Sequence, residues 1–182
     1  MKKGMITLEK IIRTQNALKN IGITISGVVI IAMMFFITID VILRNLFDYS
    51  IPGGYNYVEK YFMPFIVFPA LAYVYSSGVL PRLDVLVDKL SKGTQQSISL
   101  MMRVIDLVIF GLMFYFSLKY MIAQTIQGAA FSVGGTLAPL APSLIIAVIG
   151  FLLLVVEIVL AFIKTLNPKY QVEQTQNLNE GI

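Results

Sequence analysis

Four long apolar runs constrain the fold of this chain more than any other feature. A helix needs about 20 predominantly apolar residues to cross roughly 30 Å of hydrocarbon. The runs that reach or approach this length cover about 21–43, 57–75, 98–122 and 140–163. The sequence therefore predicts an all-α membrane protein in which four transmembrane helices form one domain over 21–165.

The composition agrees with a membrane protein and excludes several kinds of site. Hydrophobic residues make up 57% of the chain and charged residues 13%, whereas about a quarter of a soluble domain is charged. Cys and His are both absent, which excludes disulfides, Cys/His zinc centres, His-ligated haem and His-assisted nucleophiles. The sequence also has no glycine-rich phosphate loop and no metal-ligand spacing. We therefore expect no cofactor, no bound metal and no enzymatic activity.

Lys and Arg residues near the span ends predict the orientation. Five lie in 1–20, three in 77–97 and two after residue 163, whereas the other two connections together contain only Arg44. Because basic residues concentrate in cytoplasmic segments, both termini are expected in the cytoplasm. The segment 1–20 then precedes a retained membrane anchor, since no signal-peptide cleavage site follows the first run. The basic residues flank spans instead of forming a soluble patch, so no nucleic-acid partner is predicted.

The C-terminal segment 166–182 is polar and is predicted to be a disordered cytoplasmic tail.

Ionisable residues inside the predicted spans are candidates for function, because a charge in hydrocarbon is costly. Asp40 and Arg44 are four residues apart and can pair on one helical face. Arg103 and Asp106 are three apart near the cytoplasmic end of span 3, where they can pair in the same way or contact the 77–93 segment. Glu157 has no partner nearby in the sequence. Two explanations for a charge at this position are a proton-relay role and a location close to the inner interface.

Span 2 combines a charged start with two prolines. Glu59 and Lys60 open it at the outer boundary, where the helix N-terminus favours a carboxylate. Pro64 and Pro69 each remove a backbone donor, and neighbouring groups must then satisfy the freed carbonyls.

The polar stretch 81–92 between spans 2 and 3 predicts a short amphipathic helix. One arc holds the apolar residues Leu83, Leu86, Val87 and Leu90. The other side holds the charged residues Arg82, Asp84, Asp88, Lys89 and Lys92. Pro81 suits its first turn and Gly93 its end. Twelve residues span about 18 Å, too short to cross a bilayer, so the helix should lie in the cytoplasmic interface.

The connection 123–142 is uncharged and rich in glycine and alanine. This composition is compatible with a loop that docks a partner or with a partly re-entrant hairpin, and we favour the docking loop.

Three short motifs occur in an order that resembles a known family. The end of span 1 reads RNLFDYSIPGGYNYVEKY (44–61), similar to a pattern of Arg, Phe and Pro followed by aromatic-x-x-Glu. The end of span 2 has small residues and a glycine, and 82–90 reads RLDVLVDKL, similar to a His-Ile-Arg-Val-Asp segment with its amphipathic continuation. Together with the four spans, these motifs resemble the DctQ-like small membrane subunit of TRAP (tripartite ATP-independent periplasmic) transporters. Leu80 stands where that family often has His, so no role of that His is transferred.

The resemblance implies a small scaffold subunit in the bacterial inner membrane, surrounded by the lipid bilayer. Its implied partners are a large DctM-like membrane subunit, which holds the substrate and sodium sites, and a DctP-like periplasmic binding protein that delivers organic acids. Substrate and sodium sites are then expected outside this chain. The candidates for subunit-interface or structural roles are Arg44, Glu59, Arg82, Asp84 and Asp88.

Two other functions compete with this interpretation. A self-sufficient small channel or transporter would place Asp106 or Glu157 in its pathway. A membrane enzyme or assembly factor is disfavoured by the missing His and Cys and by the lack of convergent polar groups.

Overall fold

The computed structural model describes residues 2–77 and 92–166. Its elements, in chain order, are α1 (Lys2–Phe47), α2 (Gly54–Tyr57), a π-helical turn (Val58–Phe62), α3 (Met63–Ser76), α4 (Lys92–Ile126), β1 (Ala130–Val133), β2 (Thr136–Pro139) and α5 (Ala141–Leu166).

Three helices are long and apolar enough to cross a membrane. Their apolar stretches are Ile12–Phe47, Leu100–Ile126 and Ala141–Ile163, which coincide with predicted spans 1, 3 and 4. Predicted span 2 corresponds to α2, the π-helical turn and α3, which follow one another without a break over 54–76. The chain is thus a multi-pass membrane protein, and its fourth span stays a prediction.

Two of these helices are longer than a bilayer is thick. With 46 residues, α1 is about 69 Å long, and with 35 residues α4 is about 52 Å long. Both therefore extend beyond the hydrocarbon layer. Most of the segment 1–20, predicted to precede the first span, is part of α1.

The four long elements form a row instead of a closed bundle. α3 packs between α1 and α5, and α5 carries α4 on its far side, whereas α1 and α5 meet over a short stretch. Burial agrees with this order: 44% of the residues in the most apolar 18-residue segment of α5 are buried, against 6% in that of α1 and none in that of α4. α1 and α4 thus leave most of their apolar surface open.

Small residues let the flanking helices approach α3 closely. A Cβ atom added at Gly22 in α1 would collide with the carbonyl oxygen of Pro69, and one added at Gly150 in α5 would collide with the carbonyl oxygen of Phe68. Glycine at such contacts is typical of helix pairs in membranes. Helices α1 and α5 therefore pack closely against neighbouring residues of α3 from two sides.

The apolar core lies towards the C-terminal ends of α3 and α5. It consists of Tyr75, Phe151, Leu154 and Ile158, and partly buried residues of α3 and α4 pack against it: Phe68, Leu71, Leu107, Phe110 and Phe114.

The expectation of an all-α chain is wrong in one place, because the connection after α4 contains an antiparallel β-hairpin. Its register runs from Ala130 opposite Pro139 to Val133 opposite Thr136. The turn is Gly134–Gly135, and both glycines have positive φ, 54° and 92°, as a two-residue type I′ turn requires. The connection is thus folded as a hairpin, and its two predicted alternatives, a partner-docking loop and a partly re-entrant hairpin, stay predictions.

The predicted interfacial helix lies almost entirely outside the described residues, and so do Arg82, Asp84 and Asp88. Its expected end at Gly93 is wrong, since Gly93 lies inside α4. One glycine costs a helix only about 1 kcal/mol relative to alanine, so an apolar helix of this length tolerates it.

Candidate functional site

A buried ion pair joins α1 to α5 at one end of the row. Lys19 Nζ lies 3.0 Å from Glu157 Oε1, and the two side chains are only 9% and 10% exposed. One turn earlier in α1, Gln15 donates its amide N–H to the carbonyl of Leu153, at 2.9 Å. A buried charge is several kcal/mol less stable than a hydrated one unless it is paired. The pair therefore gives Glu157 a structural partner that is 138 residues away in the chain.

The same end ties α4 to its neighbours. The hydroxyl of Tyr75 in α3 donates to Asp106 Oδ2 at 2.9 Å, and the guanidinium of Arg103 donates to the carbonyl of Ala161 in α5. Local pairing or contact with the 77–93 segment was predicted for Arg103 and Asp106, and neither alternative included these two contacts between helices. We call this set, with Lys19, Gln15 and Glu157, the buried-charge end.

The opposite end, which we call the hairpin end, comprises residues 40–61 and 130–143. The predicted pair Asp40–Arg44 is confirmed there, with 3.0 Å between Arg44 Nη2 and Asp40 Oδ2. The other carboxylate oxygen of Asp40 accepts the backbone N–H of Ile51 at 2.7 Å. Asp40 therefore holds the loop that follows α1 in place. Its partner Arg44 remains largely accessible, with 66% of its side chain exposed.

The loop that follows α1 packs closely against the hairpin. Gly53 has φ 72°, and a Cβ atom added to it would lie 2.5 Å from Val133 Cγ1. On the hairpin side, a Cβ atom added to Gly134 would collide with Pro52. Val133 is nearly completely buried, so the residue before the turn is part of the packed structure, although both turn glycines are exposed.

Side chains of α2 and the π-helical turn hold the strands. Asn56 Nδ2 donates to the carbonyl of Ser132 at 2.8 Å, and Tyr61 Oη donates to that of Pro139 at 2.6 Å. The ring of Phe131 meets that of Tyr61 edge to face, with 5.3 Å between centroids. The hairpin is therefore anchored along both strands.

Glu59 lies in the π-helical turn and pairs with its neighbour Lys60. Both side chains are about two-fifths exposed. This leaves Glu59 at the surface of the hairpin end, where a partner could contact it.

The open surfaces of α1 and α4 are largely apolar, and three exposed polar side chains of α1 bond within their own helix. On α1, Thr24, Thr38 and Asn45 each donate to the carbonyl four residues earlier in their own helix. Such surfaces suit lipid or an apolar protein face.

No set of three or more Asp, Glu, His or Cys residues that could hold a metal ion occurs among residues 2–77 and 92–166. The charged side chains at the buried-charge end contact groups on other helices, so their arrangement joins helices and gives no indication of catalysis.

The buried-charge end was only partly predictable. Gln15, Lys19, Gly22 and Ser26 are all buried, and their spacing of four, three and four places them on one face of α1. This spacing is a signal for a buried face, but the basic residues of 1–20 instead predict a cytoplasmic segment there.

Comparison with known families gives one match. The model of the family described as "Tripartite ATP-independent periplasmic transporters, DctQ component" covers residues 33–167, nearly three quarters of the chain. This family is a transporter component and not an enzyme, and it works in a tripartite complex with DctM and DctP components. No curated protein and no solved structure matches the chain.

Proposed function

The chain belongs to the DctQ family, and from that premise we propose that it is the small scaffold subunit of a sodium-coupled TRAP transporter that imports organic acids. It packs on a large DctM-like membrane subunit and stabilises it. That subunit carries the substrate and sodium sites, and a DctP-like periplasmic protein delivers the carboxylate. The observation that carries the proposal is the family match over residues 33–167.

The open row of helices supports a scaffold role. α1 and α4 bury almost none of their apolar stretches within the chain, so a large apolar area remains for a membrane partner and for lipid. A transport site for an organic acid would instead need converging polar groups or broken-helix N-termini near the middle of the bilayer. Asp40, Arg103, Asp106 and Glu157 instead form contacts at the two ends of the row.

The proposed location is the bacterial inner membrane, with four spans and both termini in the cytoplasm. The 23 residues of 54–76 would form the fourth span, about 34 Å long, and 81–92 would form the interfacial helix. The buried-charge end then faces the cytoplasm and the hairpin end the periplasm. Tyr49, Tyr55 and Tyr57 lie at the hairpin end, as expected of residues at a membrane–water interface.

For contacts with partners we propose the charged residues near the two surfaces, which are Arg44, Glu59, Arg82, Asp84 and Asp88. The exposure of Arg44 and Glu59 supports their part of this proposal.

Affinity purification and reconstitution test the proposed function. The tagged full-length chain should co-purify with a larger multi-span membrane protein from its native host. Proteoliposomes holding both proteins, supplied with the binding protein and organic acid, should show uptake that needs a sodium gradient. Uptake by this chain alone would support the self-sufficient transporter instead, and a stable, active homo-oligomer without a larger partner would contradict the scaffold role.

A further inference from the structure

The central span, which comprises the π-helical turn and α3, has two gaps in its hydrogen-bonding pattern. Pro64 and Pro69 have no N–H, so the carbonyls of Lys60 and Phe65, four residues earlier, lose the donors that an α-helix would give them. A buried carbonyl without a donor is unfavourable, and more so where no water reaches it. Each gap therefore calls for a donor from outside the helix.

The structure shows how the first gap is filled. Ser143, near the start of α5, is 5% exposed, and its hydroxyl donates to the carbonyl of Lys60. A flanking helix thus supplies the hydrogen bond that Pro64 removes.

A second buried serine faces α3 from the other side. Ser26 in α1 is 2% exposed, and its hydroxyl has no hydrogen-bond partner among the described residues. A buried hydroxyl without a partner is rare in native structures. It therefore marks a place where a bond is expected.

Helical geometry places Ser26 beside the second gap. Gly22 lies directly against the carbonyl of Pro69. The ring of Phe36, further along α1, contacts that of Phe62, which precedes α3, so α1 and α3 run antiparallel. One turn onward from Gly22 is Ser26, and one turn back from Pro69 is Phe65. These two residues therefore lie at the same level on facing sides of the two helices.

We propose that the hydroxyl of Ser26 donates to the carbonyl of Phe65, as that of Ser143 donates to the carbonyl of Lys60. The proline-interrupted helix is then fixed between two serine hydroxyls, one from each flanking helix. Ser26 is a positioning residue in this arrangement. The proposed hydrogen bond does not depend on which partner the chain binds or which substrate the transporter carries. The competing arrangement is a bond from Ser26 to the carbonyl of Gly22 in its own helix, the pattern that Thr24 follows.

The two arrangements differ in whether they need Pro69. We would compare Ser26→Thr with Ser26→Val, which have nearly the same shape and differ in the hydroxyl. Both are made in the full-length chain in lipid nanodiscs, with Pro69 and with Pro69→Ala, and the apparent Tm is measured. With Pro69, the valine variant should melt about 2–4 °C below the threonine variant. In the Pro69→Ala background this difference should disappear, because the alanine N–H satisfies Phe65.

Two results would overturn the proposal. If the Tm difference between the threonine and valine variants is equal in both backgrounds, Ser26 bonds within α1. If there is no Tm difference in the Pro69 background, the hydroxyl of Ser26 makes no stabilising hydrogen bond. Thr24→Val provides a reference that does not require Pro69→Ala to fold. A Thr–Val difference at position 26 no larger than the one at position 24 would also contradict the proposal. The same cycle at Ser143 with Pro64→Ala should give the coupled pattern, since that contact is seen directly.

Discussion

The two ends of the helical row are held together by different means. At the buried-charge end, long side chains cross between helices, and the pair Lys19–Glu157 is nearly excluded from solvent. At the hairpin end, the ion pair Asp40–Arg44 keeps an exposed cation, and backbone atoms meet closely at Gly53. An ion pair between a basic and an acidic side chain is therefore expected to contribute differently to the free energy of unfolding at the two ends.

Burial explains the difference. An exposed ion pair contributes about 0–1 kcal/mol, whereas removing one partner of a buried pair costs about 3–5 kcal/mol, because the other charge remains without compensation. Stability should therefore depend on side-chain charge at the buried-charge end and on backbone shape at the hairpin end. Three substitutions test this comparison.

The largest effect is expected for Lys19→Ala. It leaves Glu157 buried without a partner, so the free energy of unfolding should fall by about 3–5 kcal/mol, measured by thermal or denaturant unfolding in nanodiscs. The double variant Lys19→Met/Glu157→Met is the matched control, and it should recover most of the loss because apolar pairs often replace buried ion pairs without penalty. An unchanged stability in Lys19→Ala would show that the pair is hydrated and would remove the contrast between the two ends.

A smaller effect is expected for Gly53→Ala. Its positive φ strains any side chain, at about 1–3 kcal/mol, and the added Cβ also collides with Val133. Amide hydrogen exchange should therefore become faster in the strands of the hairpin, Ala130–Val133 and Thr136–Pro139.

Gly128→Ala is the matched control for that prediction. Gly128 has φ 62°, close to that of Gly53, but no atom lies within 4 Å of an added Cβ there. It should show the strain without the collision. Equal effects of the two substitutions would mean that the close contact between loop and hairpin does not stabilise the hairpin end.

The smallest effect on stability is expected for Arg44→Ala. Its exposed pair contributes at most about 1 kcal/mol, yet the proposed interface role predicts weaker co-purification of the large partner. Asp48→Ala, at the exposed start of the loop that follows the same helix, is the control and should co-purify normally. Full co-purification and uptake in Arg44→Ala would remove Arg44 from the proposed interface.

Features that depend on neighbours in sequence were predictable. Long apolar runs identified three helices that the structure contains, and the spacing of Asp40 and Arg44 identified their ion pair, because residues four apart share a helical face. Pro64 correctly indicated that an outside group must satisfy a freed carbonyl, which Ser143 does, whereas the same expectation for Pro69 stays a prediction.

Features that depend on distant residues were not predictable in the same way. The partner of Glu157 is 138 positions away, and Tyr75 reaches Asp106 in another helix; no local pattern relates either pair. The Gly134–Gly135 turn carried a local hairpin signal, but neither flanking strand alternates clearly between apolar and polar residues. The composition therefore predicted a docking loop or a partly re-entrant hairpin and not this pair of strands.

The sequence separation of Lys19 and Glu157 also has a consequence for biogenesis. At about 5–20 residues per second, a ribosome needs roughly 7–28 s to add the 138 residues that separate the two. During that interval the ammonium group of Lys19 must stay hydrated at the membrane surface or find a temporary anion. The contact between the first and the last helix therefore forms only after the C-terminal helix has been inserted, whereas the packing of α1 on α3 involves residues that are made earlier.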